Sequence, residues 1–189
     1  MLQSELLKNV VKKLSEAGIE YMLTGSLVSS MQGEPRATHD IDVVISLKKA
    51  DVEKFINLFS SENFYIDRES IIRAIEHKRM FNIIEITEGL KIDFWILKND
   101  EFDQTRFSRK YLEDFEGEKI WISSPEDTIL MKLYWAKISG GSEKHFTDAL
   151  RVYEIQSKKL NMKYLEDWAE KLNIKDLLNK LKEKAETVE

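Results

Sequence analysis

The sequence predicts an α+β fold in which a mixed sheet flanked by helices precedes an all-helical segment. Short runs of β-branched and aromatic residues alternate with amphipathic helical patterns in the first two thirds, whereas the last third shows helical periodicity alone. With 189 residues, 42% hydrophobic and 33% charged, the chain is long enough for one large domain or two small ones. We therefore expect an α/β domain at residues 1–123 and a helical domain at residues 124–189.

In the expected α/β domain, the spacing of apolar residues predicts each element in turn. Residues 4–17 have the spacing of an amphipathic helix, and Gly18 follows as its expected C-cap. The elements predicted after it are a strand at 19–24, a helix at 26–32, a loop at 33–38, a strand entered at Asp40, a helix at 49–63, a short strand at 64–66, a brief helix near 71–75, and hairpins at 80–97 and 111–123.

The expected helical domain begins with a strong signal for the start of a helix. Ser124 has the side chain of an N-cap, Pro125 is suited to the first helical position, and Asp127 is acidic in the first turn. The helices predicted from there lie at about 127–138, 142–156, 162–172 and 175–185.

Composition excludes several classes of protein. The chain has no cysteine, which excludes disulfides, thiolate zinc sites and cysteine nucleophiles and is compatible with a reducing compartment. The formal charge of -5 argues against a nucleic-acid coat or a membrane-surface protein. No segment approaches the ~20 apolar residues that span a bilayer, and the N-terminus lacks the pattern of a secretion signal. We expect a cytoplasmic protein without a membrane partner.

Three aspartates are the candidate metal ligands. Asp40 and Asp42 project on the same face of a predicted strand, where two neighbouring carboxylates repel each other unless a cation lies between them. Asp93 lies within the otherwise apolar run at 90–97, where a charge must be paired or metal-bound. Carboxylates from two strands suit one or two Mg²⁺ ions, or Mn²⁺. Alternatively, Asp93 is the partner of a buried lysine or arginine, and the other two are ordinary acidic residues at a strand end.

The order of these motifs resembles the polymerase-β-type nucleotidyltransferase superfamily. Its signature is Gly-Ser or Gly-Gly, then Asp-x-Asp, then a third Asp on a later strand, matched here by Gly25-Ser26, Asp40-Ile41-Asp42 and Asp93. The resemblance implies that Gly25 and Ser26 bind a nucleoside triphosphate and that the aspartates hold Mg²⁺. It also implies that Asp93 is, or lies beside, the base for the acceptor hydroxyl. Without the later motifs, Gly25-Ser26 is equally compatible with a simple turn and N-cap.

The loop before the aspartates makes the resemblance more specific. The run Arg36-x-Thr38-x-Asp40 is similar to the form found in antibiotic nucleotidyltransferases and in AbiEii-type toxin nucleotidyltransferases, which implies that Arg36 and Thr38 contact the nucleotide. A loop arginine is also compatible with simple solvation. His39 is expected to flank the metal rather than to bind it.

The helical segment is similar to the C-terminal motifs of AbiEii-like proteins. Those motifs contain a helix lysine, matched by Lys132, and then a basic residue shortly before an aspartate, matched by Lys144 and Asp148. Lys132 is therefore expected to stabilise phosphate charge, and Lys144 and Asp148 to contact the nucleotide. The alternative for Lys144 and Asp148, which are four residues apart, is an ordinary surface ion pair.

These patterns predict transfer of a nucleoside monophosphate from an NTP such as ATP to an acceptor hydroxyl, with release of pyrophosphate. The acceptor is a small molecule, a tRNA or a protein. One alternative is a non-catalytic nucleotide-binding component of a toxin–antitoxin system, with an antitoxin as its partner. A second alternative is a metal-dependent phosphohydrolase that uses the same acidic cluster.

Overall fold

The computed structural model describes residues 3–38, 40–60 and 63–185. Packing divides the chain into two compact units: a sheet unit, Met1–Thr24 with Thr38–Ile122, and a helical unit, Gly25–Ala37 with Ser123–Glu189. The domain boundary predicted between residues 123 and 124 remains a proposal, because packing also assigns the segment 25–37 to the helical unit. Within the described ranges, no helix is both long enough and apolar enough to cross a bilayer.

The predicted α+β class is confirmed, with one mixed sheet in the sheet unit. Among the described residues its strands are β1 (Tyr21–Thr24), β2 (Ile41–Ile45), β3 (Phe64–Tyr65), β4 (Met80–Glu85), β5 (Leu90–Ile96), β6 (Tyr111–Phe115) and β7 (Glu118–Ile122). Their spatial order is β3-β4-β5-β2-β1-β7-β6. The central pair β2 and β5 is parallel, whereas β1 with β2 and β4 with β5 are antiparallel. Both predicted hairpins, β4–β5 and β6–β7, are present.

The helices of the sheet unit include one that the sequence analysis missed. They are α1 (Gln3–Glu16), α3 (Val52–Leu58), α4 (Arg68–His77) and α5 (Glu101–Ser108). The missed helix is α5, which follows Asp100, an N-cap whose carboxylate accepts the Asp103 N–H at 2.9 Å.

The helix predicted at 49–63 is shorter in the structure. A 3₁₀ turn at Lys49–Asp51 leads into α3, which ends at Leu58. The hydroxyl of Ser60 donates to the carbonyl of Asn57 at 3.1 Å, a local bond that competes with helix continuation. Residues 61 and 62 of the predicted helix lie outside the described part of the chain.

One face of the sheet packs an aromatic cluster. Phe81 and Phe94 are cross-strand partners whose rings stack with centroids 5.3 Å apart. Phe55 of α3 meets both rings edge-on, at 5.4 and 5.3 Å between centroids, and Phe59 packs beside it at 5.1 Å. All four are at most 2% exposed. Because residue 94 faces this cluster, its neighbours at 93 and 95 face the other side of the sheet.

The opposite face has a smaller apolar cluster. Met22, Val44, Leu97 and Phe107 form it, and the half-buried Trp95 packs against them. Met22 pairs with Val44 and Val44 with Trp95 across β1, β2 and β5, so the cluster lies on one face of three adjacent strands.

The helical unit combines the last third of the chain with an earlier helix. Its helices are α2 (Gly25–Gln32), α6 (Pro125–Ile138), α7 (Glu143–Gln156), α8 (Met162–Lys171) and α9 (Lys175–Lys184). Helix α2 packs against α6 and α7. Gly33 permits this approach, since a Cβ there would lie 2.9 Å from the backbone N of Val152. The predicted helix start is confirmed, because the hydroxyl of Ser124 accepts the Asp127 N–H at 3.2 Å.

We expect Phe55→Ala to lower the free energy of unfolding by about 4 kcal/mol, because it removes the ring that joins the aromatic cluster. Urea denaturation measures the change. Leu112→Ala, which alters a side chain 49% exposed on β6, is the control and is expected to cost less than about 1 kcal/mol. Equal losses in the two variants would contradict the assignment of the aromatic cluster as the core of the sheet unit.

Candidate active site

A row of polar side chains crosses four adjacent strands of the sheet. Thr24 pairs with Asp42, Asp42 with Asp93, and Asp93 with Asn82. Cross-strand partners share a face, and this row lies opposite the aromatic cluster. The structure therefore places two of the three predicted metal ligands, Asp42 and Asp93, side by side on the parallel strands β2 and β5. Asp40, the third, is exposed and precedes the first residue of β2.

Each of the two paired carboxylates has a neighbour from β5. The indole Nε1 of Trp95 donates to Asp42 Oδ1 at 3.2 Å, and Lys91 Nζ lies 3.0 Å from Asp93 Oδ2. Asp93 is only 9% exposed, and its Oδ1 is buried without a hydrogen-bond partner. Since a buried polar atom without a partner is unfavourable, Asp93 Oδ1 is available for a ligand.

Lys91 is electrostatically coupled to the whole carboxylate group. Its hydrogen bond with Asp93 raises the pKa of Lys91, and the negative charges of Asp93, Asp40 and Asp42 add to that increase against the opposing effect of desolvation. Lys91 therefore remains protonated at neutral pH and compensates part of the negative charge on this face.

The described side chains fit a divalent cation in chemistry, but they do not form a closed three-ligand cluster. Within residues 3–38, 40–60 and 63–185, no group of three or more histidine or acidic side chains is placed to hold a metal ion. The hard oxygen atoms of Asp42 and Asp93 are nevertheless the ligands that Mg²⁺ and Mn²⁺ prefer, and Asp93 Oδ1 lacks a partner. The set Asp40, Asp42 and Asp93 thus remains a prediction, and His39 lies outside the described residues.

The helical unit contains a second group of predicted site residues, centred on Ser26. Arg36 Nη2 and Lys132 Nζ donate to Ser26 Oγ at 2.9 and 3.2 Å. Both cations also bind Asp148: Arg36 through two bonds of 2.9 and 2.8 Å, and Lys132 at 2.6 Å. We call these four residues the Ser26 cluster. Three segments far apart in sequence supply it, with Ser26 at the start of α2, Lys132 on α6 and Asp148 on α7.

Lys132 and Asp148 of the Ser26 cluster are buried, and the cluster has one positive charge in excess. Lys132 and Asp148 are 4% and 8% exposed. Burial alone would raise the pKa of Asp148, but the hydrogen bonds and charges of Arg36 and Lys132 outweigh it and hold that pKa below its usual range. With two cations and one anion, the group beside the Ser26 hydroxyl attracts negative charge.

The alternative of a surface ion pair between Lys144 and Asp148 does not fit the position of Asp148 in the structure. Asp148 is buried and forms ion pairs with Arg36 and Lys132. Lys144 is exposed, and Thr38 is half-buried in the sheet unit. Their roles in nucleotide binding remain predictions.

Sequence reasoning missed three residues of the polar face. Lys91 and Trp95 lie two residues before and after Asp93 on β5, so all three share a face. The two-residue period of a strand was therefore a signal for Lys91 and Trp95. Trp95 packs against the smaller apolar cluster, and its indole also donates to Asp42. Asn82 is exposed beside Asp93, and only the pairing register of β4 with β5 reveals it.

Comparison with solved structures identifies the fold. No family model matches the sequence, and no curated protein shows a significant match to it. ANT(2'')-Ia, solved in complex with adenylyl-2''-tobramycin, has a TM-score of 0.60 at 12% identity, covering 90% of this chain and 97% of that one. The lincosamide antibiotic adenylyltransferase LnuA, lincomycin-bound, has a TM-score of 0.56 at 15% identity, with 82% and 98% covered.

A third similar structure is an antigenic nucleotidyltransferase-like protein from Paracoccidioides brasiliensis. Its TM-score is 0.53 at 17% identity, covering 97% of this chain and 93% of that one. These identities are low, so the comparisons bear on architecture alone. They confirm the fold that the sequence motifs predicted: the chain has the nucleotidyltransferase fold.

Proposed function

We propose that this protein is a nucleotidyltransferase that uses Mg²⁺ or Mn²⁺ to move a nucleoside monophosphate from an NTP to an acceptor hydroxyl, releasing pyrophosphate. The observation that carries the proposal is the pairing of Asp42 with the buried Asp93, whose Oδ1 lacks a partner, within a sheet of the nucleotidyltransferase fold. The fold alone does not imply the reaction, so the proposal depends on these carboxylates.

The carboxylates of the sheet unit would hold the divalent ion. Asp42 and Asp93 are neighbours on β2 and β5, and Asp40 precedes Asp42 on the exposed end of the same segment. When bound, the ion neutralises triphosphate charge and lowers the pKa of an attacking hydroxyl. Trp95 fixes the orientation of Asp42 through its indole N–H. Asp93, with one oxygen unpartnered, would accept the proton of the acceptor hydroxyl.

The Ser26 cluster of the helical unit would bind phosphate oxygens. Gly25 and Ser26 begin α2, where backbone N–H groups are free of helical partners and attract anions. Arg36 and Lys132 already donate to the Ser26 hydroxyl, so their N–H groups converge on one point. The hydroxyl of Ser30 donates to the Arg36 carbonyl at 3.2 Å and restrains the loop that carries this arginine. Asp148 holds both cations, and Thr38 and Lys144 are proposed as additional nucleotide contacts.

Small molecules with hydroxyl groups are the first acceptors to test. Two proteins with the same fold were solved with adenylyl-2''-tobramycin and with lincomycin. Incubation with each NTP and separate pools of small molecules, tRNA and protein, followed by mass spectrometry, identifies the acceptor by the added nucleotide mass. If no acceptor in any pool gains the mass of a nucleotide and the NTP is not consumed, the proposal is contradicted and a non-catalytic nucleotide-binding role is favoured.

We expect Asp42→Ala to abolish turnover, with kcat reduced by about 10³-fold or more, because it removes a proposed ligand of the divalent ion. Pyrophosphate release measures the rate, and circular dichroism verifies that the fold is intact. Asp176→Asn, an exposed change on α9, is the control and should retain the activity of the unchanged protein. Activity retained in a folded Asp42→Ala variant would contradict the proposed mechanism.

We expect Asp148→Asn to lower the free energy of unfolding by about 3 kcal/mol at pH 7, since it leaves buried Lys132 without its anion. The pKa of Asp148 is depressed in the folded state, so this stabilisation is present above the ordinary aspartate pKa of about 3.9 and is lost as the pH falls through the folded value. Urea denaturation from pH 7 down to pH 3 measures the difference, with Asp176→Asn as control. A difference independent of pH would contradict this role of Asp148.

A further inference from the structure

Lys91 places its positive charge beside one of the proposed metal-binding carboxylates. Strand β5 directs Lys91, Asp93 and Trp95 to the same face, and Lys91 Nζ lies 3.0 Å from Asp93 Oδ2. In the parallel pairing of β2 with β5, Ile41 is the partner of Ile92. The residues that precede them in the two segments are Asp40 and Lys91. The ammonium group is thus on the polar face of β5, next to the carboxylate that the mechanism requires.

The charge of Asp93 is only partly compensated by Lys91. A carboxylate with 9% exposure is costly without a counter-charge, and Lys91 supplies one to Oδ2. The other oxygen, Oδ1, is buried and has no hydrogen-bond partner. The ammonium group of Lys91 therefore contacts only one carboxylate oxygen of Asp93, and the other oxygen can bind a cation of higher charge.

Lys91 is also free to move away from Asp93. Its side chain is 42% exposed, whereas that of Asp93 is 12% exposed. A lysine has a flexible four-carbon stem and a strongly hydrated ammonium group, so release into water costs little. The carboxylate, in contrast, belongs to a central strand and stays in place.

We propose that Lys91 is an internal counter-cation that neutralises Asp93 until a divalent cation takes over that carboxylate, so that Lys91 lowers the affinity of the protein for the metal. This proposal rests on the proposed function only in that the carboxylates bind a divalent cation. The exchange gives Asp93 a counter-cation both before and after the metal binds. Lys91 is thereby a residue that sets the metal concentration at which the protein is loaded.

Titration of the full-length protein with Mn²⁺, followed by the electron paramagnetic resonance signal of free Mn²⁺, tests this inference. We expect Lys91→Met to lower the Kd for Mn²⁺ by about threefold to tenfold, which corresponds to the loss of one partly exposed ion pair. Lys91→Arg keeps the charge and should bind Mn²⁺ like the unchanged protein. Lys119→Met, which removes the exposed Lys119–Asp114 pair on β7 and β6, is the control for a change of net charge.

Lys91→Gln is the second variant, in case Lys91→Met does not fold, and it should show the same tighter binding. Without metal, both variants should unfold at a lower temperature than the unchanged protein, and Mn²⁺ should raise their Tm by more. If the unchanged protein binds Mn²⁺ and neither variant binds it more tightly, Lys91 is not a competitor and the inference is overturned, while the proposed function stands. If the unchanged protein and both variants bind no Mn²⁺, the inference and the metal-dependent function are overturned together.

Discussion

The parallel register between β2 and β5 is the constraint on which the account of this protein depends. It places Asp42 beside Asp93 on one face and Val43 beside Phe94 on the other. A shift of β5 by one residue would exchange its faces, turning Asp93 toward the aromatic cluster and Phe94 away from it. The same pairing therefore specifies both the apolar core of the sheet unit and its polar row, and the stability of the core maintains the position of the carboxylates.

Two buried aspartates illustrate how charge compensation separates structural roles from ligand-binding roles. Asp148 receives donors from Arg36 and Lys132 on both oxygens, so its hydrogen-bonding capacity is used within the protein. Asp93 has Lys91 on one oxygen and no partner on the other. A fully paired carboxylate organises its neighbours, which in the Ser26 cluster are two cations. A half-paired one has capacity left for a ligand, and our proposal therefore places the divalent ion in the sheet unit.

Much of the fold was predictable because its signals are local. The hairpins follow from alternating apolar residues around short turns, and the N-cap sequence from Ser124 to Asp127 marks the start of α6. Helix α5 was missed because it has no clear amphipathic period, and its only strong signal is the cap at Asp100.

The site was predictable in its acidic and phosphate-binding motifs, but not in their partners. Lys91 and Trp95 alternate with Asp93, yet that period alone does not show that Trp95 binds Asp42, 53 residues away in sequence. The bonds of Arg36 to Asp148 join residues 112 apart, and their proximity follows only from the packing of α2 against α7. Short-range patterns specify the elements, whereas tertiary register and helix packing specify which charges meet.

The fate of the phosphates of the nucleotide tests the central claim most directly. Phosphorus NMR of ATP with Mg²⁺, the protein and a mixed acceptor pool distinguishes pyrophosphate from inorganic phosphate. Attack at the α-phosphorus, as proposed for the site of Asp42 and Asp93, yields pyrophosphate and an acceptor bearing the nucleoside monophosphate. Accumulation of inorganic phosphate with ADP, and no nucleotide on any acceptor, would contradict this account and identify the acidic face as that of a phosphohydrolase.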